Sequence, residues 1–322
     1  MSEHRFKTVA VVGAGLVGLG WAIVFARSGL KVSIFDGSEE IRNGAIARLR
    51  RSLEDMEQYG LVENVGDIVQ RFHVVDTLSE AVKDADYIQE SVLERVNVKT
   101  AVSREIALAM RSNAICGSST SGIPGSEFTA DIPSRDRFLV VHPVNPPHLI
   151  PLVELVAAPW TDASIVPLVR QEMERMGQSP IAVNSEIPGF VLNRLQGALL
   201  NEAWALYAEG TASLEDIDTA VSRGLGRRWS FMGPFETIDL NAPGGIADYA
   251  QRLAPLYHSI AESRRPKQWP ADVVQRAELD RRSVLAEEDL AKRSIWRDQR
   301  LMALNAAFLT QARARQHGSS EA

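Results

Sequence analysis

The sequence predicts an α/β fold, a doubly wound and mainly parallel sheet followed by an all-helical C-terminal domain. Three observations predict it. Short apolar runs alternate with amphipathic stretches through the first half, a glycine-rich turn sits between the first such pair, and strand character vanishes after Pro188. A chain of 322 residues is long enough for two domains, because a single core stops growing near ~250 residues. The boundary falls near Glu186, which divides the chain into residues 1–186 and 187–322.

The elements follow in order. Thr8–Val12 reads as a buried strand, and Leu16 to Arg27 as a helix with Gly29 at its C-terminal cap. Lys31–Phe35 is a second strand, closed by Asp36. Ile46, Leu49, Leu53 and Met56 then mark one face of a longer helix. Further strands are expected at Phe72–Val75, Tyr87–Glu90, Ala114–Cys116, Phe138–Val141, Leu152–Val156 and Ile181–Val183, with helices at Asn97–Met110 and Asp162–Met176 among them. Beyond Pro188, GFVLNRLQGALLNEAWALYAEG reads as one helix stopped at Gly210, and Ser213 with Asp216 as a capping arrangement for the next. The rest is expected to be helical to about Ala312, broken at Pro266–Pro270, with an unstructured end from about Gln316.

Composition narrows the function classes. The net charge is −6, with no long basic runs, so neither nucleic acid nor an anionic membrane surface is an expected partner. The one cysteine, Cys116, cannot form an intramolecular disulfide, which fits a reducing compartment. The N-terminal apolar run is short and leads straight into glycines, unlike a signal peptide, and no segment reaches the roughly 18 apolar residues of a membrane span. A soluble, cytoplasmic protein is expected. No Cys/His cluster suggests a metal, and no GxSxG suggests a hydrolase.

Gly13-Ala14-Gly15-Leu16-Val17-Gly18 is GxGxxG placed between a strand and a helix. The first glycine permits the tight turn, the second lets a pyrophosphate approach the backbone, and the third lets helix and strand pack closely. The helix start, at Leu16 and Val17, supplies free N–H groups and a favourable dipole. Asp36 stands where a ribose-binding acid belongs. Its carboxylate can accept both ribose hydroxyls and would repel a 2′-phosphate, and Gly37 and Ser38 follow where an NADP enzyme often offers a basic residue. The expected cofactor is NAD, on a Rossmann-type domain.

The fingerprint is followed by IQESVLERVNVK, SSTSG, HPVNPP, PLVELV and GFVLNR. This ordered set resembles the L-3-hydroxyacyl-CoA dehydrogenase superfamily, and HPVNPP, IPLVELV, FVLNRLQ and GPFETIDLNA are most similar to its lambda-crystallin branch, L-gulonate 3-dehydrogenase. The likeness runs essentially to Arg300. It implies a catalytic histidine at His142, a glutamate on the following strand at Glu154, a serine at Ser121 and a linker-helix asparagine at Asn193. Glu90, Glu94 and Lys99 resemble the family's cofactor-side positions, with Ser119 where an asparagine is more usual.

The chemistry supports those residue types. Oxidising an alcohol requires a proton to leave oxygen as hydride leaves carbon, and a histidine near neutral pH is the best acceptor. Glu154 would fix the imidazole tautomer and favour the imidazolium. It lies inside the apolar run PLVELV, where an unpaired carboxylate would cost several kcal/mol, roughly, so it needs a partner. Ser121 and Asn193 can donate to the substrate oxygen as charge develops there. Asn145 either shapes the PVNPP loop or touches the substrate. His148, following Pro147, is expected in the loop or at the rim; His4, His73, His258 and His317 receive no role.

Three features bear on the substrate. Gly37 to Val75, where acyl-CoA members carry a lysine-rich hairpin that meets the CoA phosphates, holds Arg42, Arg48, Arg50, Arg51 and Arg71 against Glu39, Glu40, Glu54, Asp55, Glu57, Glu63 and Asp67. A multiply phosphorylated ligand would prefer a positive surface. Arg228, in GLGRRWSFMGPFE, matches an arginine of the gulonate- and carnitine-type branches and could clamp a free carboxylate; a solvated basic pair with Arg227 is the alternative. The helical C-terminal segment is also longer than in the acyl-CoA enzymes. The resemblance therefore implies a small hydroxy acid, L-gulonate-like, oxidised to the 3-keto acid, with L-3-hydroxyacyl-CoA or a carnitine-type substrate as alternatives. A crystallin-like structural protein or non-catalytic NAD-binding module is the alternative outside enzymology. The family's dimerisation through its helical domain implies a homodimer.

Overall fold

A central parallel strand is covered by helices on both faces, so its sequence need not alternate. Thr8–Val12 (β1) is such a strand, buried from Val9 onward. The computed structural model describes residues 4–264 and 268–318. After β1 come Leu16–Arg27 (α1), Lys31–Phe35 (β2), Glu39–Gln58 (α2), Val65–Val69 (α3), Phe72–Val74 (β3), Leu78–Val82 (α4), Tyr87–Glu90 (β4), Val96–Ala109 (α5), Ile115–Ser118 (β5), Gly125–Thr129 (α6), Phe138–Pro143 (β6), Leu152–Ala157 (β7), Ile165–Arg175 (α7) and Ser179–Val183 (β8). The expected strands and helices all form, with ends shifted by a few residues where caps and turns decide the boundary.

The strands make one sheet of order β3-β2-β1-β4-β5-β6-β7-β8. Every neighbouring pair is parallel except β6 and β7, which are antiparallel with His142 opposite Glu154. Strand order reverses direction between β1 and β4, and at such a switch point the two βα turns diverge and leave a crevice at the strands' C-terminal ends. Alternate residues of β1 serve opposite faces, as the period of two requires. Val9 and Val11 join Trp21, Phe25, Leu49 and Leu53 on one side, while Ala10 and Val12 join Ile88, Ile106, Cys116 and Phe138 on the other. α1 is buried from Gly18 to Ala26, with Trp21 and Phe25 stacked at 5.4 Å.

Two compact units emerge. One runs from the N-terminus to Arg194 and takes in the chain again from Lys292; the other is Leu195–Ala291. The expected division at residue 186 follows chain order, whereas these units do not. The reason is that Leu290–Gly318 (α14) buries Met302 in the core of the sheet unit, and its Asn305 Nδ2 donates to Leu149 O at 2.8 Å. The helix also continues past the expected stop near Ala312 and through Gln316, because nothing before Gly318 breaks it; residues 319–322 lie outside the described residues.

The second unit holds most of Leu192–Ala208 (α8), then Leu214–Thr219 (α9), a π-helical turn at Ala220–Leu225, Gly226–Trp229 (α10), Pro234–Leu240 (α11), Gly245–Glu262 (α12) and Ala271–Val284 (α13). The expected cap forms, with Ser213 Oγ accepting from Asp216 N at 3.1 Å. Pro266 and Lys267 of the expected Pro266–Pro270 break lie outside the described residues. Its small core gathers Tyr207, Val273 and Ala277 with Trp204, Leu214 and Ile217. Arg264 grips Glu202 through two hydrogen bonds at 2.7 and 2.8 Å and Glu209 through a third at 2.6 Å. Among the described residues no helix is long and apolar enough to cross a membrane.

Candidate active site

The glycine turn is built by exclusion. Gly13 has φ +98° and donates to Phe35 O at 2.8 Å; a Cβ there would lie 2.5 Å from Ser91 O. A Cβ on Gly18 would lie 1.8 Å from Gly13 O, so α1 closes on β1 only with glycine at that position. Around Gly15, by contrast, a Cβ would meet nothing within 4 Å among the described residues, which leaves open space in front of the turn. The first helical hydrogen bond is Leu19 N to Gly15 O, so the N–H groups of Leu16, Val17 and Gly18 have no intrahelical partner, and Leu16 is exposed. Half-buried Asp36 accepts from Ala14 N at 2.8 Å through Oδ2 and from Ser38 N at 2.9 Å through Oδ1. Each oxygen keeps a further lone pair for a hydroxyl donor. A cradle closed to side chains at Gly13 and Gly18 and open at Gly15, with a helix N-terminus and an oriented carboxylate, fits the pyrophosphate and ribose of a dinucleotide.

The second element is a buried histidine–carboxylate pair. Antiparallel register sets His142 of β6 across from Glu154 of β7, and Nδ1 lies 2.7 Å from Glu154 Oε2. His142 is 6% exposed and Glu154 0%. The other carboxylate oxygen accepts from Val191 N at 2.8 Å and Leu192 N at 2.9 Å. Gly189 (φ +75°) and Phe190 (φ +49°) swing the backbone so that these donors at the start of α8 meet Glu154. Phe190 is fully buried, its ring centroid 5.8 Å from that of His142. Burial alone would raise the Glu154 carboxyl, but hydrogen bonds from His142, Leu192 N and Val191 N hold it below the ordinary carboxylate range. An ionised Glu154 can only accept, so His142 Nδ1 carries the proton and Nε2 is left as the basic nitrogen.

The third element is the serine-rich loop after β5. Glu94 Oε1 accepts from Thr120 Oγ1 at 2.7 Å, Ser121 N at 2.8 Å, Ser121 Oγ at 3.1 Å and Gly122 N at 3.2 Å. Its Oε2 lies 3.4 Å from Lys99 Nζ. Burial pushes Glu94 up, yet the Thr120 hydroxyl, the Lys99 charge and the Ser121 donors bring it below the usual range. Lys99, 1% exposed, sits between Glu94 and the buried Glu90, whose oxygens it reaches at 3.1 and 3.2 Å. Asn193 Nδ2 donates to Ser121 O at 2.6 Å. The half-buried Ser119 hydroxyl accepts from Gln89 Nε2 at 2.7 Å.

The structure thus brings together His142 with Glu154, Ser121 with Glu94 and Asn193, and the glycine turn with Asp36. Asn145 is exposed at a cis peptide bond with Pro146. Arg228 is exposed on α10 in the second unit. His148 lies in the loop, half-buried and close to α1: a Cβ on Gly20 would approach its Nδ1 to 3.2 Å. Sequence reasoning passed over Gln89, Thr120 and Phe190. A glutamine inside the strand run YIQE was a readable signal of a buried polar partner, whereas nothing local marks Phe190 as the neighbour of His142.

Known proteins resemble this chain over most of its length. A solved 5-formyl-3-hydroxy-2-methylpyridine 4-carboxylic acid 5-dehydrogenase, an NAD+-dependent dismutase, superimposes with a TM-score of 0.81 over 94% of this chain and 98% of that one, at 26% identity. The lambda-crystallin homolog of Rattus norvegicus is 34% identical over 95% of this chain and 97% of its own length. The L-carnitine dehydrogenase of Oceanobacillus iheyensis is 40% identical over 77% of this chain and 79% of its own. Residues 8–187 match the family model of the 3-hydroxyacyl-CoA dehydrogenase NAD binding domain, and residues 189–285 that of the 3-hydroxyacyl-CoA dehydrogenase C-terminal domain. The resemblance read from the motifs is borne out: the chain belongs to the 3-hydroxyacyl-CoA dehydrogenase family and is an NAD-dependent oxidoreductase.

Proposed function

We propose that the protein oxidises the 3-hydroxyl of a small hydroxy acid, L-gulonate-like, to the 3-keto acid, with His142 as general base. The observation that carries this reading is the buried His142–Glu154 pair at 2.7 Å, its carboxylate tied by Val191 N and Leu192 N. A carboxylate anchored from behind holds the imidazole with Nε2 free to take the carbinol proton, and then stabilises the imidazolium. Asn193 donates its second amide N–H, and Ser121 its hydroxyl once that turns from Glu94, to the substrate oxygen as negative charge develops on it. NAD, when bound, supplies the hydride acceptor. Gly13, Gly15, Leu16, Val17 and Gly18 hold its pyrophosphate and Asp36 its adenosine ribose. Glu94 and Ser119 serve the nicotinamide side, and Lys99, being buried, acts there through Glu94.

The small-acid reading rests on the acidic balance of Gly37–Val75 and on Arg228, which would clamp a free carboxylate. Similarity to an L-carnitine dehydrogenase favours a carnitine-type acid as the second reading. Initial rates with NAD and L-gulonate, L-carnitine, L-3-hydroxybutyrate or 3-hydroxybutyryl-CoA test it. L-gulonate is expected to give the highest kcat/KM; a preference for the CoA thioester over every free acid overturns the small-acid reading, and binding of NADH with turnover of none makes the protein a binding module. The reading includes a homodimer. Phe231, Phe235, Leu240, Leu279 and Val284 are each at least 66% exposed on the second unit, and a second copy would cover side chains of this kind. Light scattering is expected to give twice the 35.4 kDa chain mass, and a monomer mass refutes it.

A further inference from the structure

Leading to Ser119 runs a line of polar groups, Tyr87, Gln89 and Ser91, to which the reading above gives no task. Tyr87 Oη donates to Gln89 Oε1 at 2.5 Å, and Gln89 Nε2 donates to Val141 O at 3.2 Å and to Ser119 Oγ at 2.7 Å. Ser119 Oγ also lies 2.8 Å from Ser91 Oγ. Tyr87 and Gln89 are 0% exposed, so no solvent can substitute for a missing partner. Gly117 makes room for the phenol, since a Cβ there would lie 2.2 Å from Tyr87 Oη. Ser91 sits against the glycine turn at Gly13, and Val141 immediately precedes His142. The line therefore joins the turn, the end of β5 and the strand of the candidate base.

Donor direction is determined from Tyr87 as far as Ser119 Oγ, whereas between Ser119 and Ser91 either hydroxyl can donate. A peptide carbonyl can only accept, so the group facing Val141 O is the amide nitrogen of Gln89. Its oxygen therefore faces Tyr87, which must donate; burial pushes the phenol's pKa well up and keeps it protonated. The remaining N–H of Gln89 enters Ser119 Oγ. One lone pair of that hydroxyl is then filled from below, and its proton cannot point down the line.

We propose that Gln89 is a positioning residue for the cofactor: by filling one lone pair of Ser119 it keeps the hydroxyl proton from turning inward and leaves it to be donated to an acceptor oxygen on the nicotinamide side of NAD. A serine hydroxyl is ordinarily free to rotate and can donate or accept; backed by a fixed amide donor it becomes a committed donor. It thereby does what an asparagine amide at that position would do unaided. Ser91 Oγ, 2.8 Å away, is another group the Ser119 proton could meet; in the proposed arrangement the Ser91 hydroxyl donates across that contact and fills the second lone pair of Ser119. The inference rests on Ser119 belonging to the cofactor side, as proposed above, and its test separates the two ideas.

Equilibrium NADH binding to the full chain, read by fluorescence, is the measurement, with the melting temperature of the cofactor-free protein as the control for folding. Gln89→Glu keeps the shape but turns the donor facing Ser119 into an acceptor, so the serine proton turns inward. Ser119→Ala deletes the hydroxyl. Each is expected to raise the NADH Kd about five- to tenfold, the effect of one hydrogen bond. The double variant should bind no more weakly than either single one, because both remove the same donation. Gln89→Met, which lacks the ionisable group, is the second variant should Gln89→Glu fail to fold, and an increase of at least threefold is expected from it. Wild-type affinity in Ser119→Ala overturns the placement of Ser119 at the cofactor, and the inference with it. Weakened binding in Ser119→Ala beside wild-type affinity in a folded Gln89 variant, or a fully multiplicative double variant, overturns the role of Gln89 alone.

Discussion

Replacing Glu154 by glutamine tests the proposed base without removing an atom of bulk. The side chain at 154 is enclosed, and Oε1 accepts from two backbone N–H groups at 2.8 and 2.9 Å. An amide in the same place must turn its oxygen toward those two donors, since an NH₂ there would face N–H against N–H. Its nitrogen then meets His142 Nδ1, at the position where Oε2 now stands 2.7 Å away. Nδ1 must accept, the ring proton moves to Nε2, and the nitrogen that should take the carbinol proton already carries one. Glu154→Gln therefore does more than weaken the base; it installs the wrong tautomer. General-base catalysis contributes about 10²–10⁴ in rate, and a carboxylate-to-amide change behind a catalytic histidine costs on the order of 10⁴ when it has this tautomeric consequence. A fall in kcat of about 10³-fold or more is expected, equivalent to roughly 4 kcal/mol in the barrier. The assay is NADH formation under saturating hydroxy acid, beside NADH affinity and the melting temperature, both of which should stay near wild type. A folded Glu154→Gln that binds NADH normally and keeps kcat within tenfold of wild type would refute the tautomer argument.

Two further outcomes follow from other parts of the sheet unit. Gly18→Ala must displace the turn, because its Cβ would sit 1.8 Å from a backbone oxygen that cannot yield like a side chain; a lower melting temperature and an NADH Kd raised at least tenfold are expected, and wild-type values for both would show that α1 need not close on Gly13. His148 is pushed down from 6.5 to about 4, first by burial and then by the nearby Arg27 charge, and its Nδ1 has no hydrogen-bond partner among the described residues. Between pH 6.5 and 4 the unfolded chain thus binds a proton that the folded chain refuses, so stability is lost as pH falls through that window. The loss is worth up to about 3 kcal/mol. Denaturant unfolding of wild type and His148→Leu across the window should show the wild type losing that much more, and a pH-independent difference between them would sink the reading.

How much of this was legible beforehand follows from the range of the forces involved. Local signals carried the sheet unit: the apolar run at Val9–Val12, the glycines at 13, 15 and 18, and Asp36 are short-range requirements of a strand, a turn and a ribose contact. The sequence likewise demanded a partner for Glu154, since a lone carboxylate in PLVELV would be too costly. It could not say that the partner arrives by antiparallel register from β6, nor that two N–H groups some forty residues downstream hold the second oxygen, because both depend on where Phe190 turns the chain. The return of α14 to the sheet unit has the same character. Met302 and Asn305 look like any residues of an amphipathic helix until the core of the sheet unit takes in the one and Leu149 O meets the other. Composition and spacing decide which segments become strands, helices and turns, since those choices are made over a few residues. Which buried polar group answers which other is decided only when distant segments share one low-dielectric interior, where each unpaired donor or acceptor is penalised and the chain must find its counterpart.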